Sequence, residues 1–265
     1  MGAYNDDVLF IHIPKTAGIA VKEWMDANMD GVIWPKPAVY YTDQGMTEEE
    51  AEEKSKESTE ASKLPVGHVP VRDIPRCTGR ELESWKLIVA ILRNPYDQQV
   101  SQWSFWRDRY ARGERHMHDI AAAGHPTIHT WLDESGTANT DFHIWYQNRI
   151  AFDQPWVEQP RGDGTYTQFG GYYRFWISDE RGRVPENLKL LRMEDDVRNA
   201  WPKLLEGYAN QTPPLHTRNR SPRSKRFLQY YRHSDEDRVR QSLKIVREKF
   251  AWTFDEGHYH EADVS

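Results

Sequence analysis

Cysteine is almost missing from this chain. Cys77 is the only one in 265 residues, so there is no intramolecular disulfide framework and no zinc site built on paired thiolates. Long apolar runs are missing too: nothing approaches the roughly 18–20 residues of a membrane span. The opening Met-Gly-Ala-Tyr-Asn-Asp-Asp has neither the basic nor the apolar region of a signal peptide. A soluble, cytoplasmic protein with no membrane partner is therefore expected. Positive charge is in deficit, with 35 Lys and Arg against 41 Asp and Glu. That balance speaks against a nucleic-acid partner, because general nucleic-acid affinity rests on neutralising phosphates. Five histidines fall at 116, 118, 125, 129 and 143, but no H-E-x-x-H or other compact ligand set accompanies them, and no metal is expected.

Two stretches have the pattern of strands buried on both faces of a parallel sheet. The first runs from Val8 to Ile13 and stops at Pro14. Lys15, Thr16 and Gly18 make a tight turn, and Ala20, Val21, Trp24, Met25 and Asn28 follow at the spacing of one helical face. A strand that passes through a short turn with Lys and a hydroxyl into a helix start is a phosphate cradle, since the first helical N–H groups are unpaired. The second stretch is Leu87 to Leu92, with Arg93 at its carboxyl end, where open α/β sheets place ligands. Asn94 suits a helix N-cap, Pro95 the first helical position and Asp97 the positive end of the helix; Ser101 lies on its second turn. Arg offers a planar fork for phosphate oxygens and Ser a neutral donor.

Between these stretches, Thr47 to Ser62 reads as a solvated helix with Thr47 and Glu50 as a capping box. Leu64 to Val71 reads as a short strand carrying Gly67 and His68, and Arg80 to Trp85 as a short helix. Beyond Ser101 the chain looks mainly helical as far as Arg161. Its rings, Trp103, Trp106, Tyr110, Trp131, Trp145, Tyr146 and Trp156, are core material or a platform on which a carbohydrate or polyphenol would stack. Gly162 to Val184 reads as a hairpin or an irregular excursion with a turn at Asp179 to Gly182, and Leu188 to Leu191 as a further core strand leading into a helix through Tyr208. His216 to Arg226 holds Arg218, Arg220, Arg223, Lys225 and Arg226 with no acid among them, a local positive potential that either meets an anion or is simply solvated. Ser234 to Phe250 has the pattern of a final amphipathic helix.

The string Ile13 to Gly18 resembles the 5′-phosphosulfate loop of sulfotransferases that use 3′-phosphoadenylyl sulfate (PAPS), in particular the carbohydrate (family 2-like) branch. That loop continues Thr-Ser where this chain has Ile19 and Ala20, so two hydroxyl donors are missing. Arg93 to Asp97 with Val100 and Ser101 resembles the same family's 3′-phosphate motif, and the Gly67-His68 pair resembles the site of its catalytic base. The resemblance implies an α/β, P-loop-like three-layer fold, with a central parallel sheet flanked by helices. It implies one domain over 1–265, with a helical, aromatic-rich insertion on the acceptor side at about 103–185. The implied reaction moves a sulfuryl group from PAPS to a small-molecule or glycan acceptor and releases adenosine 3′,5′-bisphosphate. His68 would be the general base and Lys15 would stabilise the leaving oxygen. Pro14, Lys15, Thr16, Ala17, Gly18, Ile19, Arg93 and Ser101 would hold the donor, with Arg218, Arg220, Ser221 and Arg223 from a closing loop. A P-loop kinase would want Gly-x-x-x-x-Gly-Lys-Ser/Thr, and no glycine loop precedes Lys15. A non-catalytic nucleotide-binding module of the same fold is the other alternative.

Overall fold

The computed structural model describes residues 2–36, 38–42, 44–64, 68–111, 176–179, 181, 183–193, 197–216 and 230. The chain forms two compact units, Met1–Leu92 with Tyr173–Arg218, and Arg93–Tyr172 with Asn219–Ser265.

The first unit is a mixed α/β fold around a four-stranded open sheet in the order β1 (Ala3–Tyr4), β2 (Val8–Ile11), β3 (Leu87–Leu92), β4 (Leu188–Arg192). The short β1 pairs antiparallel with β2, while β2, β3 and β4 run parallel. Every residue of β2 and β3 is buried, which is why both read as unbroken apolar runs instead of alternating ones. On one face Val8, Phe10, Leu87, Val89 and Ile91 pack with Ala20, Val21, Trp24 and Met25 of α1 (Gly18–Asn28) and with Trp201. Phe10 and Trp24 both meet the Trp201 ring edge to face, at 5.5 and 6.0 Å. Each such side chain contributes about 1.5–3 kcal/mol by leaving water.

Among the described residues this unit also holds α2 (Ala38–Thr42), α3 (Glu48–Ser62) and α4 (Ile74–Thr78), and a later helix, here α6 (Val197–Leu204), carries Trp201. The expected capping box is present: Glu50 N–H donates to Thr47 Oγ1 at 3.3 Å and Thr47 N–H to Glu50 Oε2 at 3.0 Å. The turn after Trp176 is closed by Asp179, whose Oδ1 accepts from the N–H groups of Arg181 and Arg183.

The strand expected over Leu64 to Val71 does not form among its described residues. His68 to Pro70 has no regular structure, and Val71 already begins a 3-10 turn, Val71–Asp73. The physical reason is proline: Pro70 has no N–H to give a ladder. The short helix expected at Arg80 to Trp85 narrows to one 3-10 turn, Leu82–Ser84, and the helix expected to run through Tyr208 ends at Leu204.

In the second unit the described part is Arg93 and Asn94 with α5 (Pro95–Ala111), and Tyr230. Gly67, the loop with Arg218, Arg220, Ser221 and Arg223, and the helix expected at Ser234 to Phe250 lie outside the described residues, as does most of the stretch at 103–185.

Candidate functional site

The turn between β2 and α1 has an unusual backbone. Lys15 and Ala17 sit in the left-handed region, at φ 64° and 62°, while Thr16 and Gly18 keep negative φ. Left-handed geometry costs an L-residue about 1–2 kcal/mol, and two of the chain's described left-handed residues fall in this one turn. Alternating handedness turns successive N–H groups toward one concave side, the arrangement called a nest, which binds anions. Ala17 occupies the N-cap position without a side-chain cap, and the first turn of α1 carries no acid. The helix start thus keeps its unpaired donors and its partial positive charge.

Two side chains of the turn behave differently from expectation. Thr16 is fully buried, and its hydroxyl donates to the Ile13 carbonyl at 2.8 Å. It closes the turn from behind, so its contribution to an anion is limited to its N–H. Of the two residues that replace the hydroxyls of the resembled loop, only Ile19 faces out, at 39% exposure, whereas Ala20 is packed into the core. A serine at 20 would point its hydroxyl into apolar packing. Only position 19 is therefore a missing donor on the open side.

His68 belongs to the same unit. Its Nδ1 lies 2.9 Å from the carbonyl oxygen of His12. A carbonyl only accepts, so Nδ1 carries the proton and Nε2 is left with the lone pair, the nitrogen that can take a proton from a substrate. Surrounding protein desolvates the imidazole, and positive charges, Lys22 and Lys15 among them, act in the same direction; its pKa falls to about 3. As a residue His68 is nevertheless exposed. The imidazole is thus neutral across the physiological range. Trp176, buried, sets its ring edge to face against His68 at 5.9 Å.

His12 was not singled out by sequence reasoning. It is a polar residue placed one position beyond the apolar run of β2, and this interruption was the available signal. Its ring is buried, lies 4.4 Å from that of His68 and stacks over Phe10 at 6.1 Å. A Cβ placed on Gly18 would stand 1.7 Å from His12 Cδ2 and 1.8 Å from Nε2. Glycine at 18 is therefore required by the neighbouring imidazole.

In the second unit, Arg93 is buried and donates from Nη1 to Ser101 Oγ at 2.9 Å. The fork and the hydroxyl expected to act together are in contact. Their geometry follows from α5, which carries Asp97 four and Ser101 eight residues beyond Arg93. Asp97, expected only to favour the helix start, also takes Arg93 Nε and Nη2 on Oδ2. This carboxylate orients the guanidinium and compensates part of its charge. Trp103 is not an exposed platform: it is buried, with the Arg107 guanidinium 4.4 Å over its ring and Tyr230 at 5.4 Å.

Among the described residues no group of three or more His, Cys, Asp or Glu is arranged to hold a metal ion, and no helix is long and apolar enough to cross a membrane. Compared with known proteins, the chain matches no family model, no curated protein and no solved structure.

Proposed function

We propose that the chain is a PAPS-dependent sulfotransferase of the carbohydrate branch, with a P-loop-like three-layer α/β fold. The observation that carries the reading is the nest at Lys15 to Gly18 in the same unit as His68, whose Nδ1–H is held on the His12 carbonyl while the His12 ring lies against Gly18. The motif resemblance at Arg93 to Ser101 supplies the second half, and the contact of Arg93 with Ser101 supports it.

In this reading the nest and the N-terminus of α1 hold the 5′-phosphosulfate through backbone N–H groups; the motif resemblance, taken by itself, assigns the 3′-phosphate to Arg93 and Ser101. His68 Nε2 takes the proton of an acceptor hydroxyl as its oxygen attacks sulfur. The new O–S bond forms while the bond from sulfur to the bridging phosphate oxygen breaks. Adenosine 3′,5′-bisphosphate leaves with the electron pair, and Lys15 stabilises the charge on that oxygen. Positioning and charge stabilisation do the work, as in phosphoryl transfer. A pKa near 3 makes His68 a weak base in the free protein. The negative charge of a bound donor would oppose the contributions of Lys22 and Lys15 and so act to raise it.

The second reading, a nucleotide-binding module without turnover, is favoured by one observation: the apolar Ile19 stands at the open start of α1. Transfer of labelled sulfate from PAPS to a panel of saccharide acceptors, with wild type and His68→Ala, separates the two. The enzyme reading expects product with wild type and a loss of about 100-fold or more in the variant. Binding of adenosine 3′,5′-bisphosphate with no transfer to any acceptor supports the module. A melting temperature that responds equally to adenosine 3′,5′-bisphosphate, AMP and ATP with Mg²⁺ removes both.

A further inference from the structure

The imidazole of His12 touches the two parts of the candidate site that lie far apart in sequence. One edge rests on Gly18, the first residue of α1 after the nest, so closely that no Cβ fits between them. Its face stacks over Phe10 of β2, which fixes the ring to the sheet. It meets the ring of His68 at 65°, with centroids 4.4 Å apart, and its own carbonyl receives His68 Nδ1–H at 2.9 Å. His68 lies on a segment without regular structure, ahead of Pro70, so little of its own backbone orients it. Two contacts from one buried residue, a hydrogen bond and a wall, do so instead.

We infer that His12 is a positioning residue: its ring is a wedge between Gly18 and His68 that holds the base in the Nδ1–H tautomer, leaving Nε2 with the lone pair. This rests on the proposed role of His68 as base. The wedge acts through shape and not through its own charge. A small side chain at 12 leaves the carbonyl in place but lets the His68 ring swing off it, whereas another flat ring keeps the wall. The same argument makes Gly18 part of the device, because it leaves the space the wedge fills.

The test reads His68 directly. Proteins labelled with ¹⁵N-histidine are examined by long-range ¹H–¹⁵N correlation spectra in wild type, His12→Ala and His12→Phe, with His68→Asn to assign the signals. Wild type is expected to show His68 protonated on Nδ1. His12→Ala should shift it toward the Nε2–H form or a mixture, and His12→Phe should retain Nδ1–H. In the transfer assay His12→Ala should lower kcat about 10–100-fold with KM changed less than threefold, and His12→Phe should recover most of the loss. An unaltered tautomer in His12→Ala overturns the inference, as does a His12→Phe protein that has lost Nδ1–H like the alanine variant. Circular dichroism confirms that each variant is folded. The spectra need neither donor nor acceptor, so a chain that never transfers sulfate but shows the expected tautomers defeats the sulfotransferase reading and leaves the wedge standing.

Discussion

Gly18→Ala places a methyl group where the His12 ring now lies, and the outcome is decided by two opposing terms. Alanine in a helix is better than glycine by about 0.5–1 kcal/mol, and Gly18 has the negative φ that alanine accepts. Against this, carbon atoms rest about 3.5 Å apart, and the new Cβ would stand 1.7 Å from His12 Cδ2. The ring would have to retreat by nearly 2 Å. It is walled by Phe10 and His68, so retreat means overpacking, at about 1–3 kcal/mol. The net expectation is a loss of about 1–2 kcal/mol, or about 2–8 °C in melting temperature for a chain of this size. Urea and thermal melts measure it, and the double variant His12→Ala/Gly18→Ala isolates the cause. With the ring gone the methyl group has room, so the double variant should be more stable than the sum of the single changes by about 0.5–3 kcal/mol. Additive effects, or a Gly18→Ala protein as stable as wild type, would refute the claim that His12 dictates glycine at this position.

Other expectations follow from the same geometry. Arg93→Lys keeps the charge but loses the fork held by Asp97 and Ser101; the preference for adenosine 3′,5′-bisphosphate over AMP should fall about 10–100-fold by isothermal titration, and Ser101→Ala should lower it about 2–10-fold. An unchanged preference in Arg93→Lys would remove the arginine from the 3′-phosphate. Ile19→Thr should raise affinity for the bisphosphate several-fold by adding a donor at the open helix start. Ala20→Ser should instead destabilise the fold by about 1–3 kcal/mol, because its hydroxyl enters apolar packing; the opposite ranking would mean that position 20, not 19, faces the ligand. The imidazole of His68 titrates at about 3 in the folded chain and at 6.5 when unfolded. The unfolded state therefore binds the extra proton between these values, and stability should fall as pH drops from 6.5 toward 3. His68→Asn should flatten this part of the stability curve, and superimposable curves for the two proteins would show that the imidazole is not desolvated.

The apolar runs of β2 and β3 were legible because burial on both faces leaves no room for alternation, and composition alone then marks a central strand. Leu188 to Leu191 was legible from its leucines alone, since this strand is only partly buried and exposes Lys189. Thr47 with Glu50 was legible because a capping box is closed within four residues. The contact of Arg93 with Ser101 was legible as a spacing, since helical geometry brings positions near in sequence onto neighbouring turns. What failed shares the opposite character. Leu64 to Val71 has strand-like side chains, but strand formation depends on a neighbour to pair with and on N–H groups that Pro70 lacks. Thr16 looks like an anion ligand in sequence, and only the folded turn reveals that its hydroxyl is directed back to Ile13.

By itself, then, the sequence determined the elements whose reasons are local: which segments are buried on both faces, where the helices start, and where a lysine, a hydroxyl and a glycine crowd one turn. The tertiary structure alone decided which residues meet across long separations. His12 and His68 lie 56 positions apart, and their hydrogen bond, the choice of basic nitrogen and the glycine that admits the ring arise only when β2, α1 and the segment after α3 converge. Local pattern carries periodicity and propensity, whereas a tautomer is set by whichever acceptor the fold happens to present.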